Sequence, residues 1–88
     1  MIGYLSGQYL YQDNGACIVL THGVGYEVFI PTRQANNFHK HQELSLHTHM
    51  IVREDAQQLY GFTERHDRDV FRILLKANQV GPKLALMI

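Results

Sequence analysis

The sequence has one cysteine, two prolines and no excess of charge of either sign. Cys17 has no thiol partner, so the chain forms no internal disulfide, and a thiolate zinc site lacks its other ligands. It reads as a buried strand residue in a reducing compartment, a poor setting for a nucleophile. Eight basic residues balance eight acidic ones over 88 positions. That balance excludes a nucleic-acid binder working by bulk positive charge, though not a local basic patch. No apolar run approaches the roughly 20 residues of a membrane span. The start, Met1-Ile2-Gly3-Tyr4-Leu5, lacks a basic stretch followed by an apolar one, so no signal peptide and a cytoplasmic location are expected. Neither G-x-x-x-x-G-K-[ST] nor G-x-S-x-G occurs, which excludes a P-loop nucleotide site and a nucleophile elbow.

What is present is enough for a core. Hydrophobic residues make up 45% of the chain and charged residues 18%, which excludes intrinsic disorder. Area scaling gives about 5,300 Å² of surface folded against about 15,000 Å² unfolded, roughly 64% buried. Composition shifts once. Residues 1–50 carry two basic and three acidic side chains, residues 51–88 six and five. The first part reads as strands and the second as helices.

A first strand spans residues 2–11, interrupted by Gly3 and Gly7 as suits a strongly bent barrel strand. Asp13-Asn14-Gly15 is a hairpin signal, because Asn and Gly tolerate positive φ. Residues 16–21 are almost continuously apolar and read as a strand covered on both faces. His22-Gly23 makes a second tight turn, and a third strand follows over residues 26–30 until Pro31 ends it. Residues 32–41 are polar apart from Phe38 and form a short helix or an irregular connection. In a fourth strand Leu44, Leu46, Thr48, Met50 and Val52 share one face, and Ser45, His47, His49, Ile51 and Arg53 the other. After a polar break at Arg53-Glu54-Asp55-Ala56-Gln57, residues 58–62 form a fifth strand. Five short strands predict a small closed barrel of the OB type, with an SH3-like barrel compatible with the same count.

Beyond Gly61-Phe62 the period changes to helical. Thr63 is the expected N-cap, with Glu64 and Asp67 in the first turn and Val70, Phe71, Leu74 and Leu75 as the apolar stripe. Asn78 is the expected stop, and Pro82 opens a second helix over residues 83–88. A chain stopping on Leu86-Met87-Ile88 leaves apolar surface uncovered, so a fragment of a longer protein is expected. The expected division is a barrel domain over residues 1–62 and the start of a helical domain over residues 63–88.

Three constellations invite chemistry. Ala77-Asn78-Gln79-Val80-Gly81-Pro82-Lys83 joins two helices through a glycine turn. Outward N–H groups, a helix N-terminus and a lysine make a phosphate site of the helix-hairpin-helix kind; a plain structural connection is the alternative. Glu54-Asp55 sits at a hairpin tip, as a solvated turn, as an anionic point that repels phosphates and so favours branched over continuous DNA, or as a metal-binding pair for nuclease chemistry, for which the sequence places no further carboxylates nearby. His47 and His49 lie two apart on one strand face, a workable metal pair, but no third ligand is fixed by spacing, and surface histidines are the plainer reading. Tyr4, Tyr9, Tyr11 and Tyr26 either stack bases on a barrel face or pack at its edge.

The sequence resembles the N-terminal part of the RuvA family, bacterial Holliday-junction branch-migration proteins. The resemblance rests on Met1-Ile2-Gly3 with Leu5 and Gly7, Gly23-Val24-Gly25-Tyr26-Glu27-Val28 with Pro31, and Thr48-His49. It continues through Val52-Arg53-Glu54-Asp55-Ala56-Gln57 with Leu59-Tyr60-Gly61-Phe62, and Asn78 with Val80-Gly81-Pro82-Lys83-Leu84-Ala85-Leu86. It implies an OB-fold domain followed by the first helix-hairpin-helix of a second domain. It further implies a homotetramer holding four-way junction DNA, with Glu54 and Asp55 as the acidic pin and the Gln79–Lys83 stretch (Gln79, Val80, Gly81, Pro82, Lys83) as the phosphate-binding hairpin. The implied partners are the ATPase RuvB, reached through a C-terminal domain, and the resolvase RuvC. No catalytic residue, cofactor or membrane contact is implied. Gln79 stands where the family usually has glycine, and Tyr4 and Ser6 where basic residues are common. A weakened phosphate grip follows if position 79 needs positive φ. Two other classes remain open: a generic OB module binding single strands or a protein, and a metal enzyme using His47 and His49.

Overall fold

The structure, a computed structural model, describes residues 2–77 and 81–87. Within them the order is β1 (Tyr4–Asp13), β2 (Ala16–Thr21), β3 (Val24–Phe29), α1 (Thr32–Ala35), β4 (Glu43–Val52), β5 (Gln57–Phe62), α2 (Arg65–Lys76) and α3 (Pro82–Met87). The strands close into a barrel in the order β1-β2-β3-β5-β4, with β4 returning to β1. Pairings are antiparallel except the seam of β3 with β5, which runs parallel through Val28–Leu59 and Phe29–Tyr60. This is the OB-like barrel the strand pattern predicts, followed by short helices.

Both hairpin signals act as read. Asp13 pairs with Ala16 and Thr21 with Val24, so each turn has a two-residue tip. Asn14 and Gly15 have φ of 51° and 84°, and His22 and Gly23 47° and 82°. Two successive positive φ values make a turn whose twist matches the flanking strands. β1 bends because it serves two neighbours. Around Gly7 it turns from β4 to β2, and a side chain at Gly7 would strike the Leu20 carbonyl and the Thr21 hydroxyl. Leu10 is the extra residue of a bulge between Tyr9 and Tyr11, which adds local twist.

Element boundaries depart from expectation for identifiable reasons. β1 begins at Tyr4; just before it Thr48 donates from its N–H to the Gly3 carbonyl at 3.1 Å and from its hydroxyl to the Ile2 carbonyl at 2.7 Å. β3 starts two residues early and stops at Phe29, and β4 stops at Val52, leaving Arg53 in the turn. Residues 32–41 supply one turn of helix and then an irregular segment whose Phe38 packs edge-on to Tyr9 at 5.5 Å. α2 starts at Arg65, so the cap is Glu64 and not Thr63, and Glu64 makes no side-chain cap bond. Gln34 of α1 occupies Thr63 instead. Its Oε1 accepts from the Thr63 N–H at 3.1 Å and hydroxyl at 3.2 Å, and its Nε2 donates to Asp67 at 3.1 Å.

Apolar side chains form two cores. Leu5, Cys17, Val19, Val28, Ile30, Leu44, Leu46 and Leu59 fill the barrel, with Ala35 at its end. Tyr60, Phe62, Phe71 and Ala85 form a second core between the barrel's outer wall and the helices, flanked by Phe29, Ile51, Leu74 and Leu75. Along the α2 stripe Phe71 is buried, Leu74 and Leu75 are half-buried, and Val70, at the rim of the groove that Phe71 and Leu74 line, is 36% exposed. Accessible surface is 5737 Å², somewhat above the about 5,300 Å² of a compact body of this mass. The helical layer gives the molecule an elongated outline of 38 × 28 × 22 Å.

Candidate functional site

The β4–β5 hairpin ends where Val52 pairs with Gln57 and the Arg53 N–H donates to the Ala56 carbonyl at 2.7 Å. That bond leaves Glu54 and Asp55 as the tip, and both are exposed. Among the described residues no cation pairs with either; the ion pairs present are Arg65–Asp69 and Arg68–Asp69. Two adjacent exposed carboxylates with no ion-pair partner among the described residues give the hairpin tip a local negative charge.

The hairpin stretch is described in part. α2 closes at Lys76, with the Ala77 N–H donating to the carbonyls of Ile73 and Leu74 at 3.2 Å. Asn78, Gln79 and Val80 lie outside the described residues. Gly81 is exposed, and its carbonyl accepts the Ala85 N–H at 2.9 Å as α3 begins. Pro82 opens that helix, where its missing N–H costs nothing. The Lys83 ammonium lies 3.3 Å from the centroid of the Phe29 ring. Phe29 stacks on Tyr60 at 5.3 Å, and Tyr60 meets Phe71 at 5.1 Å. Lys83 thus caps a row of rings leading from α3 into the barrel wall. No sequence signal marks Phe29 as its partner, because the contact depends on how α3 docks.

The histidine pair is divided between two environments. His47 faces Tyr4, ring to ring at 5.6 Å, whereas His49 meets Phe71 at 6.0 Å and accepts from Arg72 Nε on its Nδ1 at 3.1 Å. Burial first, then Arg72 and Arg68, lower the His49 pKa below its ordinary value, which keeps the ring neutral as an acceptor. Among the described residues no group of three or more His, Cys, Asp or Glu side chains is placed to hold a metal. Cys17 is 2% exposed, and burial pushes its thiol up to about 11. It is an inert core thiol at neutral pH. Of the tyrosines considered for stacking, Tyr9 and Tyr26 pack against the barrel core, while Tyr4 and Tyr11 are more than half exposed. Ser6 is exposed beside them, its carbonyl accepting the Thr21 hydroxyl. No helix among the described residues is long and apolar enough to cross a membrane.

Comparison with known proteins gives this geometry a setting. A family model described as the RuvA N terminal domain matches residues 1–61. A Marinobacter nauticus protein named Holliday junction branch migration complex subunit RuvA is 50% identical over 91 residues, spanning 100% of this chain and 43% of the relative. Proteins of the same name from Acinetobacter baumannii and Psychrobacter arcticus are 46% and 47% identical, covering 100% and 98% of the chain. The chain spans 42–44% of the length of these relatives. With more than half of it matched by the family model, and all of it aligned to a relative at 50% identity, the chain belongs to the RuvA N-terminal domain family.

Proposed function

We propose that the chain is a DNA-binding scaffold for four-way Holliday junctions, with no bond-making chemistry of its own. The observation that carries this reading is the alignment of the whole chain with proteins named as subunits of the Holliday junction branch migration complex. The exposed Glu54-Asp55 tip supports it. An unpaired anionic point repels phosphates, so it fits the centre of a junction, where backbones diverge, and not a continuous duplex. In this reading Glu54 and Asp55 are the pin. Gln79, Val80, Gly81, Pro82 and Lys83 form the hairpin that grips arm phosphates. Residues 1–62 act as the barrel domain and residues 63–88 begin the helix-hairpin-helix domain. The assembly is a cytoplasmic homotetramer. RuvB supplies ATP-driven branch migration and RuvC resolves the junction, in recombination and repair of DNA damage.

Gel shift of a four-way junction against linear duplex of equal length tests this, with light scattering on the same samples. A junction preference that falls steeply with salt is expected. Glu54→Ala with Asp55→Ala raises duplex binding relative to junction. Equal affinity for the two DNAs, unchanged by that double substitution, overturns the proposal. Tight single-strand binding that ignores Lys83→Gln would favour a generic OB module.

A further inference from the structure

We infer that the cleft between β4 and α2, lined by His49, Arg72, Leu75 and Lys76, binds a phosphodiester of a nucleic-acid backbone. The cleft holds about 290 Å³ and contains none of Glu54, Asp55 or Lys83. Its ligand class rests on the DNA-binding reading above; its location does not.

The site is built before any ligand arrives. Arg72 donates from Nε to His49 Nδ1 at 3.1 Å and from Nη2 to the Thr48 carbonyl at 3.4 Å. Its guanidinium is therefore held in place, so little side-chain freedom remains to be lost on binding. Among the described residues the guanidinium's bonds to protein are these two, which leaves Nη1 open. Lys76 follows one helical turn later and lines the same cleft. No carboxylate lines it. The acids of α2 are engaged elsewhere, Asp67 with Gln34 and Asp69 with Arg65 and Arg68. In a chain of zero net charge, two cations with no ion-pair partner among the described residues, beside a neutral imidazole, make a local positive site. The His49 pKa is lowered, by burial first and by the nearby Arg72 and Arg68 next. A guanidinium edge with an adjacent ammonium suits a phosphate oxygen pair, and Leu75 offers an apolar side to the sugar.

The test uses the 88-residue chain, isotope-labelled, titrated with a short DNA duplex and separately with inorganic phosphate. The duplex should move the His49 ring and Arg72 Nε signals. Lys76→Gln, an exposed change that leaves the packing alone, should weaken duplex binding about threefold and lower the salt slope by about one. Arg72→Gln should weaken it further, but it also removes two bonds to β4, so Lys76→Gln decides. If the unmodified chain binds no DNA, this inference falls together with the DNA-binding reading. If it binds DNA with unmoved His49 signals and Lys76→Gln binds equally well, only the cleft is overturned. Saturation by inorganic phosphate at the concentration of duplex phosphate that saturates would mark a small-anion site and also overturn the inference.

Discussion

The barrel interior and the layer beneath the helices are both apolar, yet they are made of different side chains. Inside the barrel the fillers are aliphatic, with Val19, Val28 and Leu46 fully buried. Beneath the helices they are rings: Tyr60, Phe62 and Phe71, at centroid distances of 5.1 Å for each pair with Phe71. Five strands leave a bore narrow enough for branched side chains to fill. A helix standing off a sheet wall leaves a wider gap, which rings span with favourable tilted contacts. β5 serves both cores at once: Leu59 points inward and Tyr60 outward, and both are buried. The helical layer has an exposed outer side, with Ile73 66% and Met87 79% exposed. The difference implies that the barrel can stand while the helices come away.

Phe71→Ala tests that separation most severely. It should cost about 4 kcal/mol, by loss of ring contacts and the cavity left behind. Hydrogen exchange should show α2 amides losing protection while the strand ladders keep theirs; a parallel loss in the barrel would make the two cores one unit. Leu46→Ala should cost about 3 kcal/mol and lower protection everywhere, since nothing holds the helices once the barrel opens. His49 gives a smaller, pH-dependent effect. Its pKa is lowered in the fold, so below the ordinary value of 6.5 the unfolded chain binds more protons than the native one. Stability therefore falls as pH drops through about 6.5 and levels off below the folded value. His49→Gln should flatten that segment of the curve in denaturant titrations at about pH 7.5 and about pH 5. The smallest effect belongs to Lys83→Met, which removes the contact with the Phe29 ring. A loss of about 0.5–1 kcal/mol in helix docking is expected, and it should vanish in a Phe29→Leu background.

The sequence showed most clearly what local geometry decides. Asn14-Gly15 and His22-Gly23 mark their turns because positive φ restricts the residues that fit. The alternation from Leu44 to Met50 marks β4 because one face is buried over that stretch. Where a distant residue intervenes, the local reading gave way. Thr63 looks like a cap, but Gln34, nearly thirty positions earlier, takes both its N–H and its hydroxyl. Val70 fits the helical stripe, yet the ring cluster centred on Phe71 takes the buried centre of that face and leaves Val70 at its rim. In the candidate site the Glu54-Asp55 tip was legible because it is a hairpin end. The partners of Lys83 and Arg72 were not, since each bond crosses from a helix to a strand that the chain visits much earlier.

One detail of the fold bears on how the molecule carries load. β5 runs into α2 with only Thr63 and Glu64 between them, so a pull on the helices arrives directly at β5. The parallel seam that holds β5 to β3 is two residue pairs long. Gln34, which follows β3 through Ile30 and Pro31, fastens the far side of that joint with three hydrogen bonds to Thr63 and Asp67. It works as a latch: those three bonds resist the peeling of β5 from β3 when the helices are dragged, alongside the bonds of Arg68 and Arg72 to the barrel.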